Sequence, residues 1–192
     1  MVAPFHYTRS QIDRIGNTII YLATHIAALD KTKLLMLVYL IEEIHVKKYG
    51  FPFFNIRFDT WKIGPISKDL YLELTDTPDL LHAFIALNKS RIEPKRAFDD
   101  GEFSDNDLKT LDYAVIHFGN ALAPYLVNMT QQRHSAWYKT AVKNGLLDYF
   151  KSGQLTTTDI EIDFSTLLTN DQQKAFYLEN KALYAFSDTL KI

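Results

Sequence analysis

There is no cysteine among the 192 residues. That one absence excludes structural disulfides, cysteine-ligated zinc, iron–sulfur clusters and thiol nucleophiles. Positive charge is not in surplus either: 21 Lys and Arg against 23 Asp and Glu leave a formal net charge of -2, whereas a protein that neutralises a phosphate backbone normally carries a basic excess. Nucleic acid is therefore not an expected partner. The longest strongly apolar run, Leu34 to Ile41, falls far short of the roughly 18 residues a membrane span requires. Residues Met1 to Gln11 hold a single arginine and no apolar stretch, so no secretory signal is expected and the cytoplasm is the expected setting. Internal repeats, low-complexity tracts and long linkers are also missing, which predicts one domain over residues 1–192.

What the chain does have is apolar and aromatic bulk, with 47% hydrophobic residues including 13 Phe, 11 Tyr and 2 Trp. Such side chains supply large contact areas in cores and in interfaces alike. Ser10 with Asp13 three residues later reads as a helix cap, and Ile12, Ile15, Ile19, Leu22 and Ile26 recur at helical spacing over about residues 11 to 28. A second helix is predicted after Asp30, running to about Lys48. Its apolar residues cover more than one face, which assigns it to the centre of the fold. Lys47, Lys48, Gly50 and Pro52 mark its end. Phe54, Ile56 and Phe58 then alternate with polar residues as in a half-buried strand, Gly64-Pro65 reads as a turn, and Ser67 caps a short helix bearing Leu70, Tyr71 and Leu74.

Thr77-Pro78 reads as a further helix start, with Leu80, Leu81, Phe84 and Leu87 on one side. Lys89 to Phe98 is basic and extended, and Pro94 suits an edge strand. Ser104 with Asp107 caps a helix through Phe118, and shorter helices are predicted over about 123 to 131 and 135 to 144. Ile160, Ile162 and Phe164 alternate, and a last helix runs from about Asp171 to Leu190, with Phe176, Tyr177, Leu183, Tyr184 and Phe186 expected mainly in the core. The fold class is α+β, mainly α-helical with a small antiparallel sheet.

Catalytic constellations are scarce. G-x-S-x-G, H-E-x-x-H and Walker loops are all lacking. Glu42 and His45 make one E-x-x-H step, where di-iron bundles need two with further Glu residues, so His45 reads as a helix residue rather than a ligand. His134 lies near Trp137 without a recognisable nucleophile. Asp99-Asp100 and Asp105-Asp107 read as a solvated turn and a helix start. Lys89, Arg91, Lys95 and Arg96 form the one basic stretch, without an adjoining stacking series. A small metal-assisted hydrolase using His45 or His134 is the remaining enzymatic alternative. No catalytic residue, metal or cofactor is assigned. The segment from Phe53 to Tyr71, by contrast, gathers Phe54, Phe58, Trp61 and Tyr71 around a bend, and Trp61, Ile63 and Tyr71 suit interface anchors.

The run Lys33 to Leu40, then His45, Lys48-Tyr49-Gly50, Pro52, Phe58 to Trp61 and Gly64-Pro65-Ile66 with Tyr71 and Leu74, resembles the Panacea domain, a SocA-like antitoxin domain also known as a phage-associated domain. Phe103-Ser104, Asp107, Leu111-Asp112, Phe118-Gly119, Leu126, Thr130 and Trp137 resemble the family's second motif. The likeness spans about residues 15 to 145, leaving an extension with the final helix over about 155–192. Gln131 stands where the family usually has His. The resemblance implies an antitoxin that binds a cognate toxin protein, encoded by a neighbouring gene, and blocks it without catalysis. Within the family a subgroup delivers its toxin to a protease, which is the alternative partner here. On this reading the toxin-binding residues are Phe54, Trp61, Lys62, Ile63 and Tyr71.

Overall fold

The computed structural model describes residues 7–75, 78–89 and 91–187, with side chains described to residue 183. Its centre is α2 (Lys31–Tyr49), capped by Asp30, whose side chain accepts from the Lys33 N–H, and stopped by Gly50 at φ 68°. Leu34, Leu37, Val38, Tyr39 and Ile41 are fully enclosed, so the helix is apolar on nearly all sides, as expected of a central element. Against it pack α4 (Asp105–Phe118) and α5 (Ala123–Thr130), and α1 (Arg9–His25) packs on α4. The cap of α1 is Thr8 with Gln11 rather than Ser10 with Asp13; Asp13 instead pairs with Arg9 on the surface. At α4 the Ser104 and Asp107 capping box forms as read.

Gly16 marks the closest approach on α1: a β-carbon there would lie 2.3 Å from the Phe84 ring. Phe84 does not belong to a helix. Pro78 is followed by turns, and the predicted helix is replaced by the hairpin of β3 (Ile85–Asn88) and β4 (Arg91–Pro94), with Thr77 outside the described residues. Pro94 ends β4 opposite Ile85, in keeping with an edge position.

The predicted strand at Phe54 to Phe58 is also absent, although Phe54, Ile56 and Phe58 are buried as the alternation implies. At Phe54 and Asn55 its backbone groups are taken by side chains instead of a neighbouring strand. The Phe54 N–H donates to Glu42 at 2.7 Å, Gln11 Nε2 donates to the Asn55 carbonyl at 2.9 Å, and Asn55 stands at φ 53°. The strand begins one step later. β1 (Asp59–Trp61) pairs antiparallel with β2 (Gly64–Ile66), so Gly64-Pro65 lies in a strand and Lys62-Ile63 make the turn.

α3 (Lys68–Glu73) follows, and α6 (Ala136–Lys143) and α7 (Leu146–Ser152) lead to an extended return along β1. There the Thr60 N–H donates to the Ile160 carbonyl at 2.9 Å and the Ile162 N–H to the Phe58 carbonyl at 2.8 Å. A 3₁₀ turn (Phe164–Leu167) and α8 (Asp171–Ser187) complete the described chain. Among the described residues are eight α-helices and two antiparallel two-stranded sheets, a mainly α architecture with small β elements. On α8 only part of the expected core character holds: Tyr177 is buried, Phe176 and Leu183 are exposed, and Tyr184 and Phe186 lie outside the described side chains.

Ile162, Phe164, Leu168 and Tyr177 are all buried against the rest, and each such side chain contributes about 1.5–3 kcal/mol. Native stability totals only about 5–15 kcal/mol. A chain ending after Gln154 is therefore expected to lose its cooperative thermal transition in circular dichroism; an unchanged melt would separate the return segment from the folding unit.

Candidate partner-binding site

The β1–β2 hairpin owes its position to what its backbone can approach. Gly64, at φ 123°, brings the chain so close to α2 and α5 that a β-carbon would lie 3.3 Å from both Met36 Sδ and Thr130 Oγ1. The tip is then fastened from four sides. Gln131 Nε2 donates to the Lys62 carbonyl at 2.9 Å and Trp137 Nε1 to the Trp61 carbonyl at 3.0 Å. The Lys62 N–H donates to the Thr156 carbonyl at 2.9 Å, and Trp61 Nε1 to the Thr158 carbonyl at 3.1 Å. With the backbone held inward, the Lys62 and Ile63 side chains face solvent, Ile63 at 54% exposure.

Trp61 is half-buried beside Tyr71 of α3, their ring centroids 5.8 Å apart. The ammonium of Lys31, at the start of α2, lies 3.5 Å from the centre of the Tyr71 ring and donates to Thr75. Trp61, Lys62, Ile63 and Tyr71 thus belong to the hairpin tip and the helix beside it. Phe54 does not join them. It is 2% exposed, packed edge-on to Phe53 at 4.6 Å, and is a core residue rather than a contact for a partner. Its burial follows from Glu42, which draws the Phe54 N–H inward.

Behind the hairpin runs a buried polar chain. The Glu43 carboxylate accepts from the Tyr39 hydroxyl, from Lys47 Nζ at 2.5 Å and from the Ala136 N–H at 3.1 Å. The Tyr39 hydroxyl in turn accepts from the Trp137 N–H at 3.0 Å. Two N–H groups of the first turn of α6, which have no intrahelical acceptor, are thereby satisfied from α2. The consequence is positional, because Trp137 is the residue whose indole holds the hairpin tip.

His45 is equally structural. It is 3% exposed, with Nδ1 3.0 Å from Thr110 Oγ1 and Nε2 3.5 Å from Asp107, whose other oxygen pairs with Arg14 at 2.6 Å. Burial, assisted by the charges of Arg14 and Lys48 and opposed by Asp107, lowers the imidazole to about 4. No open face remains there for a substrate. His134 is exposed in the turn before α6, and among the described residues no group of three His, Asp or Glu side chains is placed to hold a metal ion. Nor, among the described residues, is any helix long and apolar enough to cross a membrane.

Sequence reasoning did not assign roles to Lys31, Gln131, Glu42 and Glu43. Gln131 carried a signal, the departure from the family's usual His; the other three looked like ordinary helix surface or, for the carboxylates, an incomplete metal motif. A family model described as the SocA-like antitoxin, Panacea domain matches residues 34–138. No curated protein and no solved structure matches the chain.

Glu42 makes this interior pH-sensitive. Burial pushes its carboxyl from 4.5 up to about 7, against the pull of the Phe54 and Phe53 N–H groups and of Arg14 and Lys181. The unfolded chain releases this proton near 4.5 while the folded one keeps it to about 7, so the stabilisation is full below 4.5 and lost as pH rises through 7. His45 works the other way, losing its contribution as pH falls from 6.5 to about 4. Glu42→Gln is expected to gain on the native chain from pH 4.5 to pH 7, by up to roughly 3 kcal/mol. Denaturant unfolding in a pH series checks this, and a difference that stays flat with pH would show that Glu42 ionises normally.

Proposed function

Because the chain belongs to the SocA-like antitoxin, Panacea domain family, we propose that it neutralises a toxin protein by binding it directly and covering its working surface. The observation that carries this reading is the hairpin tip. An exposed aliphatic side chain, Ile63, and a cation, Lys62, stand next to the Trp61–Tyr71 ring pair on a backbone fastened by Gln131, Trp137, Thr156 and Thr158. Ordering the contact loop, which usually subtracts from affinity, has already happened in the free protein.

Occlusion needs no chemistry from the antitoxin. A stable complex requires about 800 Å² from each partner, with a few aromatic or cationic anchors contributing most of the binding. Trp61 and Tyr71 supply ring surface, Lys62 supplies charge for orientation, and Ile63 offers an apolar knob. His45 and Phe54 are buried and stand apart from this surface.

The test is growth of cells expressing the neighbouring gene alone and together with this one. The neighbour alone is expected to arrest growth, and co-expression to restore it with a co-purifying complex. Ile63→Asp combined with Lys62→Glu should abolish rescue and weaken binding by about thirtyfold or more, while the thermal melt stays unchanged because both side chains face solvent. Rescue by that double variant would move the contact face elsewhere. Toxin that stays abundant under co-expression agrees with occlusion, whereas a shortened toxin half-life would indicate delivery to a protease.

A further inference from the structure

A cleft of about 740 Å³ opens between the start of α2, the end of α3, the β3–β4 hairpin and α5. Leu74, Leu87, Ile92 and Val127 give it apolar walls, and Lys31, Lys89 and Arg91 line it with positive charge. Among the described residues that line it Asp30 is the sole carboxylate, and that side chain accepts the Lys33 N–H at 2.8 Å as the cap of α2. Resting on the antitoxin reading above, we propose that this cleft seats an acidic, apolar-bearing segment of the toxin protein.

Charge complementarity argues for this occupant. The chain as a whole is at -2, so the concentration of cations here is local to the cleft and not a reflection of composition. Their placement is fixed by the fold. Lys31 is held over the Tyr71 ring and bonded to Thr75. Lys89 stands at φ 56° in the turn of the β3–β4 hairpin, a conformation for which Gly or Asn is the usual choice. Arg91 opens β4, where the Ile92 N–H donates to the Leu29 carbonyl at 3.0 Å, tying the hairpin to the start of α2.

A single nucleic acid strand would call for stacking surfaces along the groove, yet none of the described residues lining the cleft is aromatic. Aliphatic walls with a cationic rim suit Leu, Ile or Phe side chains interspersed with Asp or Glu. The cleft is also continuous with the hairpin face, because Lys31 contacts Tyr71, which packs on Trp61. A toxin gripped at Trp61 and Ile63 reaches the cleft with its adjoining segment.

Panning random phage-displayed peptides on the purified full chain tests the assignment without the toxin. Enriched peptides should combine Asp or Glu with large apolar residues. At physiological ionic strength they should bind the native chain at least about tenfold more tightly than the Lys89→Glu/Arg91→Glu variant. Lys89→Arg/Arg91→Lys should retain binding, and the thermal melts of both variants should match the native one. Peptides without acidic enrichment, equal affinity for the charge-reversed variant, or tighter cleft-dependent binding of an oligothymidylate would each overturn the proposal, the last in favour of nucleic acid. Growth rescue is scored separately: rescue that survives charge reversal sinks the cleft assignment alone, and peptide binding with a harmless neighbouring gene sinks the toxin reading alone.

Discussion

A buried carboxylate on the central helix organises the structure. Glu43 accepts from the Tyr39 hydroxyl and from the first turn of α6, and Tyr39 accepts from the next N–H along. An unpaired carboxylate in this position would carry a severe desolvation penalty. Paired as it is, with Lys47 at its outer oxygen, it fixes the rotation and height of α6 relative to α2. That placement aims the Trp137 indole at the Trp61 carbonyl. The β1–β2 hairpin is therefore referred back to the core through two short steps, each made of hydrogen bonds with defined direction.

Much of the fold could be read along the chain because its helices announce themselves locally. Asp30, Gly50, Ser104 and Ser135 do at the ends of helices what their side chains or backbone freedom suggest. Two departures came where side chains took backbone groups that local rules assign to a strand or a helix. At Phe54 to Phe58 the alternation reported burial correctly, but Gln11 and Glu42 took the backbone groups a neighbouring strand would have used. After Pro78 the Glu73 carboxylate collects the N–H groups of residues 79, 80 and 81, which settles that segment into turns where a helix was expected. Gln11 and Glu42 lie outside a local window, and Glu73, though near in sequence, matches no capping pattern.

The candidate site was legible in outline only. Trp61 and Tyr71 stood out as aromatics near a bend, and the structure does bring them together. Phe54 has the same residue character but faces inward, as its alternation with Asn55 and Arg57 implied. Lys31 could not be singled out, since a lysine in the first turn of a helix normally faces water and here it meets Tyr71 only because α3 folds back beside it. Gln131 acquires meaning once the Lys62 carbonyl is seen opposite: a side-chain amide supplies a fixed, uncharged donor there at any physiological pH.

The family match ends at residue 138, yet the return segment beyond it lies along β1 with backbone hydrogen bonds at Phe58, Thr60 and Lys62. Seen from the solvent, this segment occupies the outer edge of a two-stranded ribbon. Open strand edges template pairing with other chains and are a common route to aggregation. By filling that edge with its own residues, the chain closes β1 to strand addition while the Lys62 and Ile63 side chains at the hairpin tip stay exposed. A second copy consequently finds no β1 edge to extend.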